Sequence, residues 1–215
     1  MKQVIQIRCK NNKKSQKVEI GSTLFDIFSA FDLKMTHGPV SARVNNKVEG
    51  MHYRVYNSKD VEFLDMTSSS GSRAYTRTLF FVLCKAVQDI YPATDVVIDI
   101  PVSNGFYVDI RLGRPVVDED VNIIRRRMQE IIDARMPIRR FTVPTEEAVA
   151  LFQEKGDVEK VKLLKTSGSI YTTYYKIGDY VDYYYGTLLT NTSQLYLFGL
   201  EKYYDCLLYT SPSPR

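Results

Sequence analysis

RAYTRTLFFVLCKAVQDIYPATDVVIDIPVSNGFYVD, residues 73–109, reads as a buried helix, a proline stop, a strand, a tight turn and a second strand. Phe80, Phe81, Val82, Leu83, Cys84, Ala86, Val87 and Ile90 leave the helix almost no polar face, so it should be enclosed on most sides. Tyr91-Pro92 ends it, because the residue before a proline is pushed out of the helical region. Val96, Ile98 and Ile100 alternate with Asp95, Val97 and Asp99, the period of a half-buried strand. Asn104-Gly105 supplies a hairpin turn. Beyond it Phe106, Val108 and Ile110 alternate with Tyr107, Asp109 and Arg111.

Working downstream, Asp118-Glu119-Asp120 places acid at a helix start, where the positive end of the dipole favours it. Val121, Ile124, Met128 and Ile131 form the inward stripe, and Pro137 ends that helix. Thr145 is expected to cap a shorter helix with Ala148, Leu151 and Phe152 inward, closed by Gly156. Asp157 opens another helix, with Val158, Val161 and Leu164. From Ile170 the chain turns into tyrosine-rich strand: Tyr171, Tyr174, Tyr175, Tyr180, Tyr183, Tyr184 and Tyr185.

Working upstream, Met66–Ser72 is polar and small and reads as a linker. Residues 1–66 form a β-rich unit. Ile5, Ile7 and Cys9 alternate with Gln6 and Arg8, a lysine-rich turn follows, and Val18 and Ile20 return. Thr23 with Asp26 three residues on is an approximate capping box. Leu24, Ile27, Phe28 and Phe31 make one apolar stripe. Ala42, Val44 and Val48 flank an Asn45-Asn46 turn, and Val61, Phe63 and Leu64 give a last strand. Strands around one helix in so short a segment give a β-grasp arrangement.

At 215 residues the chain can hold one large domain or two small ones, and 44% hydrophobic with 25% charged residues is ordinary for a globular protein. The net charge of +4 allows a nucleic-acid partner without requiring one. Cys9, Cys84 and Cys206 have no disulfide-framework or zinc spacing, and a cytoplasmic setting is expected. The longest strictly apolar run, Leu79–Cys84, is far short of the ~20 residues a membrane span needs. No membrane partner is expected. The last ten residues, CLLYTSPSPR, break the composition before them and resemble a translated sequencing adaptor. Residues 206–215 are therefore expected to be a non-native tail and are left out of the fold reading, with the natural protein expected to continue past Asp205.

The long block and what surrounds it resemble a known family. Helix, YP stop and NGFYVD strand look like the opening of the second additional domain of threonyl-tRNA synthetases. The likeness continues through EDVNIIRRRMQEII, MPIRRFTV, TEEAVALF and GDVEKVKLL. VEIGSTLFDI and VNNKVEG resemble the TGS domain, the ubiquitin-like module at the front of those enzymes. The resemblance implies an α+β fold: a β-grasp TGS domain over 1–66, a linker at 67–72, and an α+β, editing-type domain with an antiparallel sheet over 73–205. In that family the second domain removes misattached serine from tRNA, using an HxxxH pair on the first helix and a CxxxH pair late in the domain. Matched residue by residue, the four ligand positions hold Arg77, Phe81, Tyr184 and Leu188. Phe and Leu cannot bind a metal and Arg repels one. The resemblance thus implies a degenerate domain without metal, and hence without editing of that kind.

No other catalytic set takes its place. His37 and His52 lie far from any cysteine, there is no GxxxxGK[ST] loop, and Asp95, Asp99 and Asp109 fall on a polar hairpin face that reads as solvated or, failing that, as an acid/base group. Lys10, Lys13, Lys14 and Lys17 are candidates for phosphate or RNA contact, as are Arg125–Arg127, Arg139 and Arg140; solvated charge is the plainer reading. The tyrosines either stack bases or pack strands. Arg77, Tyr184 and Asp182 are candidate ligand-binding residues in the former metal pocket, with Arg77 facing either Asp182 or the phosphate of a nucleotide. TGS plus a metal-free second domain also resembles the part that precedes the P-loop domain of uridine-kinase-type nucleoside kinases. That reading makes this chain their regulatory, non-catalytic front, with a nucleotide or RNA ligand and the kinase domain as a partner in cis. ATP and Mg would belong to that domain alone, and this part would need no cofactor. The alternatives are a fragment of a threonyl-tRNA synthetase or related editing protein, and a stand-alone TGS RNA-binding regulator.

Overall fold

The computed structural model describes residues 3–35, 38–92, 94–102, 105–203 and 206–210. His37, Asn104 and residues 211–215 lie outside them, as does the side chain of Asp99. The fold is α+β. Contacts divide it into two compact units, Met1–Met136 with Thr187–Arg215, and Pro137–Gly186.

The first unit opens with β1 (Val4–Cys9), β2 (Ser15–Glu19), β3 (Ser22–Thr23), α1 (Leu24–Ala30), β4 (Ser41–Val44), β5 (Lys47–Gly50), β6 (Arg54–Val55) and β7 (Lys59–Leu64). Five of these strands form a sheet in the order β2-β1-β7-β4-β5, with β1 and β7 parallel at its centre. This is the β-grasp order that the sequence pattern implies. Ile5, Ile7 and Cys9 point inward as their alternation requires. The Thr23 hydroxyl accepts the Asp26 N–H at 3.2 Å while Asp26 accepts the Thr23 N–H at 2.8 Å, so the capping box forms with Asp in place of Glu. Leu24, Ile27 and Phe31 are buried on the sheet, and Phe28 meets Phe63 edge to face at 5.2 Å.

The long helix α2 spans Ser69–Ile90, 22 residues, so it starts inside the stretch read as a linker. Ser68 is its N-cap: the hydroxyl accepts the Gly71 N–H at 3.0 Å and donates to the Asp65 carbonyl at 2.8 Å. A side chain at 71 would meet that carbonyl, since a Cβ there would lie 1.8 Å from Asp65 O. The small residues that read as a flexible tether are what allow β7 to turn tightly into α2.

β8 (Val96–Val102) and β9 (Gly105–Ile110) form the expected hairpin, and α3 (Asp118–Asp133) buries Val121, Ile124, Met128 and Ile131. Phe80 meets Phe106 at 5.0 Å, nearly perpendicular, which ties α2 to β9.

The second unit holds β10 (Arg139–Pro144), α4 (Thr145–Glu154), α5 (Val158–Thr166), β11 (Tyr171–Ile177) and β12 (Tyr180–Tyr183). The sheet order is β10-β11-β12, antiparallel throughout. Ala148, Phe152, Leu164 and Val181 form its core. Thr145 is not the cap of α4. The N-cap is Pro144, and the Thr145 hydroxyl instead donates to Ser169 O at 2.6 Å, fastening the helix start to the segment before β11. Asp157 does cap α5, accepting the Lys160 N–H at 3.0 Å.

The chain re-enters the first unit through a 3-10 turn at Thr192–Gln194, followed by β13 (Gly199–Tyr203) and β14 (Cys206–Thr210). The resulting sheet runs β13-β14-β9-β8. Cys206–Thr210 is thus a strand between β13 and β9. Its CLLYT sequence is rich in strand formers, and β9 offers it an open edge of backbone donors and acceptors.

Segments on either side of the expected 67–72 boundary share one compact unit. Gln194 Nε2 donates to Pro39 O at 3.3 Å and the Tyr196 hydroxyl lies 2.7 Å from Met66 Sδ, so the late segment fastens to the β-grasp part. Among the described residues no helix is long and apolar enough to cross a membrane.

Candidate functional site

Two of the positions matched to metal ligands, Phe81 and Leu188, lie on the middle of α2 and in the segment after Gly186. Tyr75 anchors the two. Its side chain is fully buried, and its hydroxyl accepts the N–H groups of Tyr196 and Leu197 at 3.0 and 2.9 Å while donating to Leu197 O at 2.7 Å. Burial pushes this phenol above the ordinary tyrosine range. One turn further on, the Thr78 hydroxyl donates to Ala74 O at 2.7 Å and accepts the Leu189 N–H at 2.8 Å. Thr192 does the same for α3, accepting the Met136 N–H at 2.9 Å and donating to Ile131 O at 2.9 Å. Buried hydroxyls thus satisfy backbone groups that an irregular segment would otherwise leave unpaired.

Within that frame Phe81 is 0% and Leu188 1% exposed, both in the first compact unit. Arg77, one turn before Phe81, is half-buried, and its side chain forms no ion pair among the described residues. Tyr184 is half-buried and lies just after β12, in the second unit. Apolar side chains therefore fill two of the four positions at which the family resemblance calls for metal ligands. These residues do not fit a metal ion. Among the described residues no group of three or more His, Cys, Asp or Glu side chains comes together.

Asp182 lies in the second unit and has a cation of its own there. Lys160 Nζ lies 2.7 Å from Asp182 Oδ1 and 2.8 Å from Asp157 Oδ2, and 5.8 Å from the centre of the Phe152 ring. Burial alone would push this ammonium down, but the Asp182 and Asp157 carboxylates hold it above the ordinary lysine range. Asp182 also accepts the Tyr180 hydroxyl at 2.9 Å and the Tyr183 N–H at 2.6 Å. The sequence marks Asp157 as a helix start but gives no sign that Lys160 and, from a strand, Asp182 join it. The cluster is an enclosed ammonium between two carboxylates, a polar centre that holds β12 to α5.

The basic residues differ in exposure and in their partners. Lys10, Lys13, Lys14 and Lys17 are all exposed on the β1–β2 hairpin, with Lys13 at φ 61 in the turn. Arg127 is neutralised by Asp89 and Glu130, at 2.9 and 2.8 Å. Arg125 donates to Leu200 O. Arg126, Arg139 and Arg140 are exposed. The tyrosines of β11 and β12 mostly pack: Tyr175 is buried, its hydroxyl donating to Gly186 O at 2.8 Å. Asp109 sits 3.5 Å from Arg111 rather than in an acid/base pair.

This is an α+β chain in which a β-grasp sheet, a long helix and a hairpin share one compact unit that buries Phe81 and Leu188. In sequence it is similar to threonine–tRNA ligases. That of Acetivibrio thermocellus is 29% identical over 181 residues, 84% of this chain and 28% of the ligase. That of Clostridium kluyveri is 30% identical over 193 residues, 89% of this chain and 30% of the ligase. That of Clostridioides difficile is 28% identical over 187 residues, 86% and 29% of the two chains. The chain thus spans less than a third of the length of these curated relatives. No family model matches it.

Proposed function

We propose that the chain is the TGS and second-additional-domain portion of a threonyl-tRNA-synthetase-related protein, and that it engages tRNA without a metal and without deacylating it. The observation behind this reading is the likeness to threonine–tRNA ligases across most of the chain, at positions that bury Phe81 and Leu188 where a metal-dependent site needs ligands. Exposed cations at Lys10, Lys13, Lys14 and Lys17 supply charge for the phosphate backbone. The test is to incubate the purified chain with Ser-tRNA specific for threonine. Retention of the tRNA with no release of serine above the uncatalysed rate is expected. Serine release, or failure to retain any tRNA, overturns the reading.

A second reading keeps the same two domains but attaches them to a uridine-kinase-type P-loop domain. What favours it is the loss of all four ligand positions, Arg77, Phe81, Tyr184 and Leu188, since a kinase has no misacylated tRNA to correct. The two parents differ in the reading frame beyond this chain: a GxxxxGK[ST] loop marks the kinase, and a synthetase core marks the ligase.

A further inference from the structure

We infer that the outer edge of the β10–β11 pair is a binding platform for single-stranded RNA, with Phe141 as the stacking surface and Arg139 and Lys176 as the phosphate clamp. This rests on the reading of the chain as an RNA-engaging module and names the surface responsible. Arg139 and Lys176 are registered partners across the antiparallel pair, so two cations face each other on one side of the sheet. Like charges placed directly opposite destabilise a strand pair. Both side chains are exposed, and neither forms an ion pair among the described residues. An external anion at this point would relieve the repulsion.

The next registered pair on the same side is aromatic. Phe141 and Tyr174 lie face to face, with ring centroids 5.2 Å apart and planes 16° apart. Tyr174 packs on the core of the second unit, whereas Phe141 is half-buried and stands on β10, the edge strand of the order β10-β11-β12. One face of Phe141 is therefore taken by Tyr174, and its other face has no neighbouring strand. A flat aromatic ligand would continue the stack there. Along a strand, residues two apart are roughly 6.5 Å apart, so the cation pair and the open ring face are close enough to meet the phosphate and base of one nucleotide. A free base does not need the cations, and a duplex cannot offer an unstacked base. The combination selects a single strand.

The experiment titrates the full chain and its variants into a fluorescein-labelled single-stranded RNA of mixed sequence, a duplex of the same length, and intact tRNA, by fluorescence anisotropy. Phe141→Leu preserves volume but removes the ring and should weaken single-strand binding tenfold or more, with Phe141→Tyr restoring it. The double variant Arg139→Gln, Lys176→Gln removes one phosphate contact and should lessen the slope of log affinity against log salt by about 0.7, the value for one phosphate on a single strand. Thermal melts confirm that each variant folds. If tRNA binds and Phe141→Leu changes nothing, this platform is wrong while the RNA reading stands. If the variants weaken single strand and duplex equally, the patch is only a basic surface and the stacking assignment fails. If no RNA binds the unmodified chain, the RNA-engaging reading itself fails.

Discussion

The hydroxyl of Tyr75 joins α2 to the late segment through contacts that no apolar side chain can replace. Tyr75→Phe keeps the ring and leaves the N–H groups of Tyr196 and Leu197 and the carbonyl of Leu197 without that partner. Unpaired buried groups of this kind cost about 1–3 kcal/mol, so urea unfolding should show a loss of that size without a change in slope. Gly71 is the other telling position. In an ordinary helix interior, alanine is better than glycine by roughly 0.5–1 kcal/mol. Here a Cβ would strike the Asp65 carbonyl, so Gly71→Ala should instead destabilise, by about 1–3 kcal/mol, the usual range for overpacking. A stabilised Gly71→Ala protein would show that α2 does not begin where the Ser68 cap places it.

At the scale of elements, the start of α3 depends on Asp120. Its carboxylate takes both guanidinium arms of Arg114, at 2.7 and 2.8 Å, the Tyr91 hydroxyl at 2.6 Å and the Val117 N–H at 2.9 Å. The Arg114 guanidinium, with Tyr91 and Val117 adding to it, holds this acid well below the ordinary carboxylate range despite its enclosure. The folded-state value is depressed, so the stabilisation is complete above the unfolded value of about 3.9 and fades as the pH falls below it. The stability gap between the parent chain and Asp120→Asn should thus be constant from pH 7 to 5 and narrow steadily under pH 4. A gap that stays constant into acid would show that the carboxylate is not charged in this network. Elements such as α1 and α3 were legible in sequence because their signals are local: a capping pair, an acidic first turn, a stripe at helical spacing. The start of α2 was not. Ser68–Ser72 has the composition of a tether, and only the position of the Asp65 carbonyl shows why small residues are needed there. Thr145 departs from its expected capping role for a related reason: its hydroxyl is drawn to Ser169, 24 residues away. Cys206–Thr210 was set aside on composition, although its pairing with β9 depends on backbone rather than on side-chain pattern.

At the scale of the whole molecule, the sequence names residues for the candidate site but not their neighbours. Phe81 and Leu188 could be placed at ligand positions from the resemblance, and their burial follows from their chemistry. The pairing of Lys160 with Asp182 could not be read, because nothing in a sequence fixes which cation meets a strand aspartate 22 residues later. The proposed reading is of a tRNA-engaging module with exposed cations at its first hairpin and on β10, and with Phe81 and Leu188 buried at positions matched to metal ligands. The most direct test of that claim is the affinity of the purified chain for tRNA, measured once in chelator and once in excess zinc. Equal, salt-sensitive binding in both is the expected result. Binding that appears only with zinc, or serine release that zinc switches on, would contradict a metal-free module.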